Sequence, residues 1–315
     1  MIWFSYLAIL FANCGNAMKQ YAMKNCGRRA PGGFNSICIN FGRCIICFLV
    51  SLIFWFTVGM GGADPEGNVV TVLSGIGNAV SLFSWILASG FIPMSLIEIF
   101  NTFGSLVVPM ILAPYIYNGD SVSAVQWIGC ILLVISVLLF IDMPKKKSDA
   151  ETVETRNSCG LGVKIAIVTA SAVGTGAGTI FQKYYVLNTV EKGLGTIEYF
   201  NMLSFIVMMG VFAIGFLWYV LTKRASISDE SGRIMLPYKR VWVFIIMAAI
   251  GLYICQYFSG IASKLPSAIY FPLLKGVAIA ETVLLDTLVF KDKLTLKRII
   301  ALVLVIASIV LVNLP

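Results

Sequence analysis

Histidine is absent from the 315 residues. Its absence removes the commonest metal ligand and the side chain that most readily shuttles protons near neutral pH. Charge is scarce too: Asp, Glu, Lys and Arg together make 12% of the chain, about half the share of an ordinary soluble domain. So few charges cannot cover a water-facing surface. No run with the spacing of a metal finger, a dinucleotide-binding turn or a nucleophile elbow appears, which argues against a membrane enzyme. The glycines of 174–178 lack the strand and the spacing that a dinucleotide fingerprint needs. Cysteines number eight and are scattered. Cys44 and Cys47 make a C-x-x-C inside an apolar run with no second pair, the pattern of small buried hydrophobes rather than of a metal or redox centre.

What is present in abundance is hydrocarbon. Hydrophobic residues reach 59% and the mean hydropathy is +0.91, so the natural solvent of this chain is lipid. The net charge of +8 is then read as membrane orientation, not as attraction to nucleic acid. Met1-Ile2-Trp3-Phe4 has no positive leader, so the N-terminal apolar run reads as a first membrane span and not a cleaved signal.

Apolar runs punctuated by Gly, Pro and charge clusters predict ten spans: 2–23, 34–58, 68–89, 91–117, 122–142, 160–187, 195–221, 241–263, 267–290 and 297–314. A hydrophilic stretch from Pro144 to Asn157 separates the fifth from the sixth. The expected organisation is a first five-helix unit at 1–143, a cytoplasmic linker at 144–159 and a second five-helix unit at 160–315. Basic residues concentrate in alternate loops, including Arg28, Arg29, Lys145, Lys146, Lys147, Lys223, Arg224, Lys239, Arg240, Lys291 and Lys293. The intervening loops hold only Lys192 and Lys264. That bias puts the odd-numbered loops in the cytoplasm and both termini outside, in a multi-pass protein of the cell membrane.

The halves are related to one another. Gly15-Asn16-Ala17-Met18-Lys19-Gln20-Tyr21 aligns with Gly178-Thr179-Ile180-Phe181-Gln182-Lys183-Tyr184, Asn40 with Asn201, and Gly104 with Gly276. A five-helix unit enters and leaves on opposite sides, so its copy must be inverted. Matching loops indeed carry opposite bias: Asn118-Gly119-Asp120-Ser121 is acidic where Phe290-Lys291-Asp292-Lys293 is basic. The expected fold is all-α, with ten transmembrane helices in two inverted repeats.

Leu265-Pro266-Ser267 through Pro272-Leu273-Leu274-Lys275-Gly276, then Val289-Phe290-Lys291-Asp292-Lys293-Leu294-Thr295 and a last span ending Val312-Asn313-Leu314, resembles the C-terminal pattern of the drug/metabolite transporter superfamily, in its ten-helix EamA-like branch. The resemblance covers the chain in layout and implies a central cavity lined by spans 1–4 and 6–9, with spans 5 and 10 at the periphery.

Polar side chains are costly in hydrocarbon, so they should face a wet seam or a neighbouring helix. Asn13, Asn16 and Gln20 share a face of span 1, with Lys19 beside them. Asn78 and Trp85 lie in span 3, Glu98 and Asn101 in span 4, Gln182 in span 6, and Tyr253, Gln256 and Tyr257 in span 8. Together with Lys275 of span 9, these are the candidate substrate-binding residues. Trp85 and Tyr257 sit at matching repeat positions, as a stacking pair would. Lys275 reads either as an anchor for a carboxylate or phosphate or as an ion-pair partner of Glu98. Glu98 and Glu281 are candidates for ion or proton coupling, and Glu281 has a structural alternative near Pro272. Lys19, Arg43, Lys183, Glu198 and Asp286 are expected to snorkel to an interface. Prolines 93, 109 and 114 of span 4 and Pro266 and Pro272 of span 9 are expected to kink those spans.

The expected function is transport of a small organic metabolite, an amino acid or related compound, by alternating access, as an exporter or coupled to an ion or proton. The expected partners are the bilayer, a small-molecule substrate and a coupling ion, with no nucleic acid, cofactor or metal, in a monomer or dimer. The alternatives are a magnesium-type divalent-cation carrier, which oxygen ligands alone would have to serve, and a non-transporting membrane sensor or packing subunit.

Overall fold

A computed structural model describes residues 2–58, 60–89, 97, 100–102, 104, 105, 109, 123–140, 161–223, 234, 236–289 and 296–312. Glu98 and the linker at 144–159 lie outside the described residues. The long elements are helices: α1 (Ile2–Arg29), α2 (Gly33–Val58), α3 (Pro65–Ser89), α4 (Ala124–Phe140), α5 (Leu161–Tyr185), α6 (Ile197–Thr222), α7 (Tyr238–Ala262), α8 (Ser267–Leu284) and α9 (Leu296–Val312). The described positions between 97 and 109 are helical as well. The chain is all-α among the described residues, and the helices fall where the apolar runs predict them.

Among the described residues, five helices are long and apolar enough to cross a membrane: Gly33–Val58, Pro65–Ala88, Ile165–Val190, Ile197–Thr222 and Tyr238–Ala262. The 28-residue α1 is longer than any of them, but Asn13, Asn16, Lys19 and Gln20 dilute its hydropathy. Burial is inverted relative to a soluble bundle. Leu10, Ile53, Ile214, Leu221 and Val303 are exposed, whereas Asn13, Asn40, Arg43, Asn101, Ser171, Lys183 and Asn201 are buried. Apolar outside and polar inside is the arrangement a lipid solvent selects. This is a membrane protein.

Helix pairing decides where the polar interior forms. The principal contacts are α1 with α7, α3 with α5, α2 with α6, and α4 with α9. Two of these crossings are made backbone to backbone on glycine. A Cβ at Gly15 would stand 2.7 Å from the Gly251 carbonyl oxygen, and one at Gly174 would stand 2.6 Å from that of Gly77. Small residues of this kind let helices touch without a hydrophobic driving force between them. Helices α4 and α9 pair apart from these crossings, tied by the Ser308 hydroxyl donating to the Gly129 carbonyl at 2.6 Å.

Connections are tight where described. Gly32, at φ 109°, turns the chain between α1 and α2 in a conformation only glycine adopts without strain. Pro266 is the N-cap of α8 and begins that helix instead of bending it, which corrects the expectation for one of the two span-9 prolines. Helices α5 and α8 end in single π-helical turns, Val186–Val190 and Leu285–Val289.

Candidate functional site

A cavity lies among the helices; together with the open space at its mouth it spans about 990 Å³. From α1 it receives Asn13, Asn16, Lys19, Gln20 and Met23, and from α3 Asn78, Ser81, Leu82 and Trp85. Helix α5 supplies Thr175, Gly178, Thr179 and Gln182, and α7 supplies Leu252, Cys255, Gln256 and Ser259. Arg43 of α2, Asn101, and Leu274, Lys275 and Ala278 of α8 complete the lining. The wall is amphipathic, rich in amides and hydroxyls between apolar side chains, as small-molecule sites generally are.

Hydrogen bonds across helices hold part of this lining in place. The Ser171 hydroxyl donates to Asn101 Oδ1 at 2.8 Å, and the Ser81 and Thr175 hydroxyls meet at 2.6 Å. Gln182 Nε2 donates to the Gln256 carbonyl at 2.9 Å, and Gln256 Nε2 reaches Ser204 Oγ at 3.4 Å. The Thr282 hydroxyl lies 2.8 Å from Gln20 Oε1. These bonds join α3 to α5, α5 to α7, α7 to α6, and α1 to α8, so the cavity wall is one polar fabric rather than separate stripes.

The sequence-predicted residues divide cleanly. Asn13, Asn16, Gln20, Asn78, Trp85, Asn101, Gln182, Gln256 and Lys275 come together around the cavity. Tyr253 and Tyr257 do not. Their rings stack on each other at 5.9 Å and meet the Phe54 ring at a tilt, at 5.5 and 6.1 Å, away from the lining. The Tyr257 hydroxyl donates to Glu198 Oε1 at 3.1 Å. Both tyrosines pack on the face of α7 that meets α2 and α6. Glu281 is half-buried on α8 and is not among the lining residues. Glu98 lies outside the described residues.

Of the charged side chains expected to snorkel, Arg43, Lys183 and Glu198 are buried and Lys19 is half-buried. Lys19 is half-buried and lines the cavity. Arg43 is 1% exposed and lines it too. Lys183 is equally buried: its ammonium donates to the carbonyls of Ser263 (3.3 Å) and Leu265 (2.7 Å), just past the C-terminus of α7. Helix C-termini carry unpaired carbonyls and a partial negative charge, so a lysine is stabilised there without reaching water. Glu198 is buried in the first turn of α6, where a negative charge is favoured. Sequence reasoning missed Arg43 as a site residue; the one available signal was its place in mid-run, fifteen residues before the end of α2.

Three bonds form a clasp at one end of the bundle. Tyr184 donates to Glu66 Oε1 at 2.6 Å, Tyr199 to Asn68 Oδ1 at 2.9 Å, and Thr189 to Asp64 Oδ1 at 3.4 Å. Together they fasten the first turn of α3 and the preceding Asp64 to the end of α5, the π-helical turn after it and the first turn of α6.

No family model and no curated protein matches the chain. Among solved structures, one described only as "Crystal structure of protein" is similar, with a TM-score of 0.65, 13% identity, and 98% of each chain covered. At that identity the likeness speaks to the fold alone, and it extends over the whole chain.

Proposed function

We propose that this protein is a membrane transporter that moves a small organic metabolite by alternating access of two inverted five-helix halves. The observation that carries this reading is a constant relation between the two sides of the cavity. Asn16, Lys19, Gln20 and Met23 on α1 correspond to Thr175, Gly178, Thr179 and Gln182 on α5, each pair 159 positions apart. Asn78, Ser81, Leu82 and Trp85 on α3 correspond to Leu252, Cys255, Gln256 and Ser259 on α7, each 174 apart. The glycine crossings obey the same two offsets: Gly15 and Gly174 differ by 159, and Gly77 and Gly251 by 174.

Helix pairing has the same exchange symmetry. Exchanging the halves turns α1 against α7 into α5 against α3, and α3 against α6 into α7 against α2; all four contacts exist. The α2–α6 and α4–α9 pairs map onto themselves. A site between two related halves is the geometry a rocking mechanism uses. The same offsets revise the alignment read from sequence. Gly15 corresponds to Gly174 rather than Gly178, and Trp85 corresponds to Ser259, so the Trp85–Tyr257 pairing is withdrawn.

In this reading the drug/metabolite transporter resemblance supplies the family, and α4 and α9, which give nothing to the lining, are the peripheral supports. The basic loops face the cytoplasm. A divalent-cation carrier is disfavoured because the described lining contains Lys19, Arg43 and Lys275 and no carboxylate.

The test is flux. Purified protein in liposomes is expected to take up or release a solute that it also protects thermally, and Lys275→Ala is expected to abolish flux while the helical fold persists. A cysteine at Asn16 is expected to react with a water-soluble reagent in at least one state. A cysteine there that never reacts, with no flux of any solute, supports a sensor or packing subunit instead.

A further inference from the structure

Arg43 sets a chemical requirement on whatever enters the cavity. One of its terminal nitrogens, Nη2, donates to Asn40 Oδ1, a neutral acceptor. Its Nε is buried and has no hydrogen-bond partner. No carboxylate pairs with Arg43 among the described residues, and the adjoining Cys44 and Cys47 are buried free thiols. Lysine can shed a proton to escape such a place; a guanidinium cannot. A permanent charge at this depth needs a counter-charge or water.

The same cavity takes Lys19 from α1, and its described lining includes no Asp or Glu. We infer that the solute is a net organic anion whose carboxylate or phosphate oxygens are bound by the Arg43 fork together with Lys19. The uncharged remainder of the molecule then faces amides such as Asn16 and Gln182 and the ring of Trp85. A guanidinium presents parallel N–H donors that match two oxygens of one oxyanion, the strongest polar recognition available to a side chain. The inference rests on the transport reading and narrows it. Among the described lining residues, no carboxylate meets the ammonium group that a zwitterionic amino acid would bring.

Paired probes test this. Succinate and glycerol 3-phosphate are compared with succinamide and glycerol, and with the dication putrescine, for thermal protection of the purified full chain and for flux in liposomes. One or both anions are expected to protect and to be transported, while their neutral twins and putrescine do neither. Which anion works tells carboxylate from phosphate. Arg43→Gln is expected to weaken anion binding by roughly tenfold or more, the scale of a lost charge-assisted contact. Arg43→Lys, which keeps the charge but not the fork, is expected to fall between. The ligand-free thermal midpoint of Arg43→Gln is expected to equal or exceed the parent's, so a folding defect is told from a binding defect. Two results overturn the inference and leave the transporter reading standing: a neutral or cationic solute that is carried, or anion protection that survives in Arg43→Gln. Absence of protection by both anions also overturns it. No flux of any solute, with Asn16→Cys inaccessible throughout, ends the transport reading itself.

Discussion

The buried charges behave according to what each one touches. Lys183 is held by two carbonyls beyond the end of α7, with the Tyr270 and Phe271 rings at 5.5 and 5.7 Å. Lys183→Met keeps the side-chain length but strips both carbonyls of their donor. Leaving buried acceptors unpaired costs about 2 kcal/mol, so the thermal midpoint in detergent is expected to drop by several degrees; a midpoint equal to the parent's contradicts the assignment. The aromatic residues separate the cavity from its supports. Trp85→Ala is expected to impair flux, because Trp85 lines the cavity. Tyr257→Phe removes only the hydroxyl that bonds Glu198 and is expected to cost about 1 kcal/mol of stability with flux retained. If Tyr257→Phe abolished flux while Trp85→Ala spared it, the site would have to be moved onto the α2-facing side of α7.

Between elements, the controlling feature is close approach at glycine. At Gly251 an added Cβ would stand 2.6 Å from the Gly15 oxygen and 2.7 Å from the Lys19 nitrogen. Both are backbone atoms and cannot swing aside. Gly251→Val is therefore expected to separate α1 from α7, at a cost of about 3 kcal/mol or more, read as lost folded yield. Gly210, on the exposed side of α6, has nothing within 4 Å of such a Cβ. Gly210→Ala is expected to be neutral or to add up to about 1 kcal/mol from helix propensity. Equal behaviour of the two variants would show that the crossings are looser than this. The clasp at the start of α3 is weaker by design. Its bonds lie partly in solvent, so Tyr184→Phe is expected to loosen the clasp without unfolding the bundle, measured as faster cysteine labelling at Gln182→Cys.

At the scale of the molecule, the polar interior and apolar exterior assign the solvent, and the proposed orientation rests on the loop charges. With the basic loops cytoplasmic, a cysteine replacing Lys192 is expected to react with an impermeant reagent on intact cells. One replacing Lys223 is expected to react only after permeabilisation, both in a Cys14→Ser background because Cys14 is exposed. The opposite pattern inverts the protein in the membrane and leaves the cavity argument untouched.

Hydropathy alone was enough to specify a helical membrane protein and the positions of its described helices, because a span is a local property: about 20 apolar residues satisfy their own backbone. The polar stripes of α1, α3, α5 and α7 were legible for the same reason, since Asn, Gln and Ser in hydrocarbon have few places to go. Position around the helix was less legible. Slipping a repeat alignment by four residues turns a helix by only about 40°, so Gly178 could stand in for Gly174 with every neighbouring residue still plausible. Only the crossing of Gly15 on Gly251 and of Gly174 on Gly77 removes that freedom, because two backbones in contact admit one register. The same crossings turned Tyr253 and Tyr257 away from the cavity. Arg43, whose length lets it reach an interface from mid-helix in an isolated span, was committed to the interior by the helices packed around it.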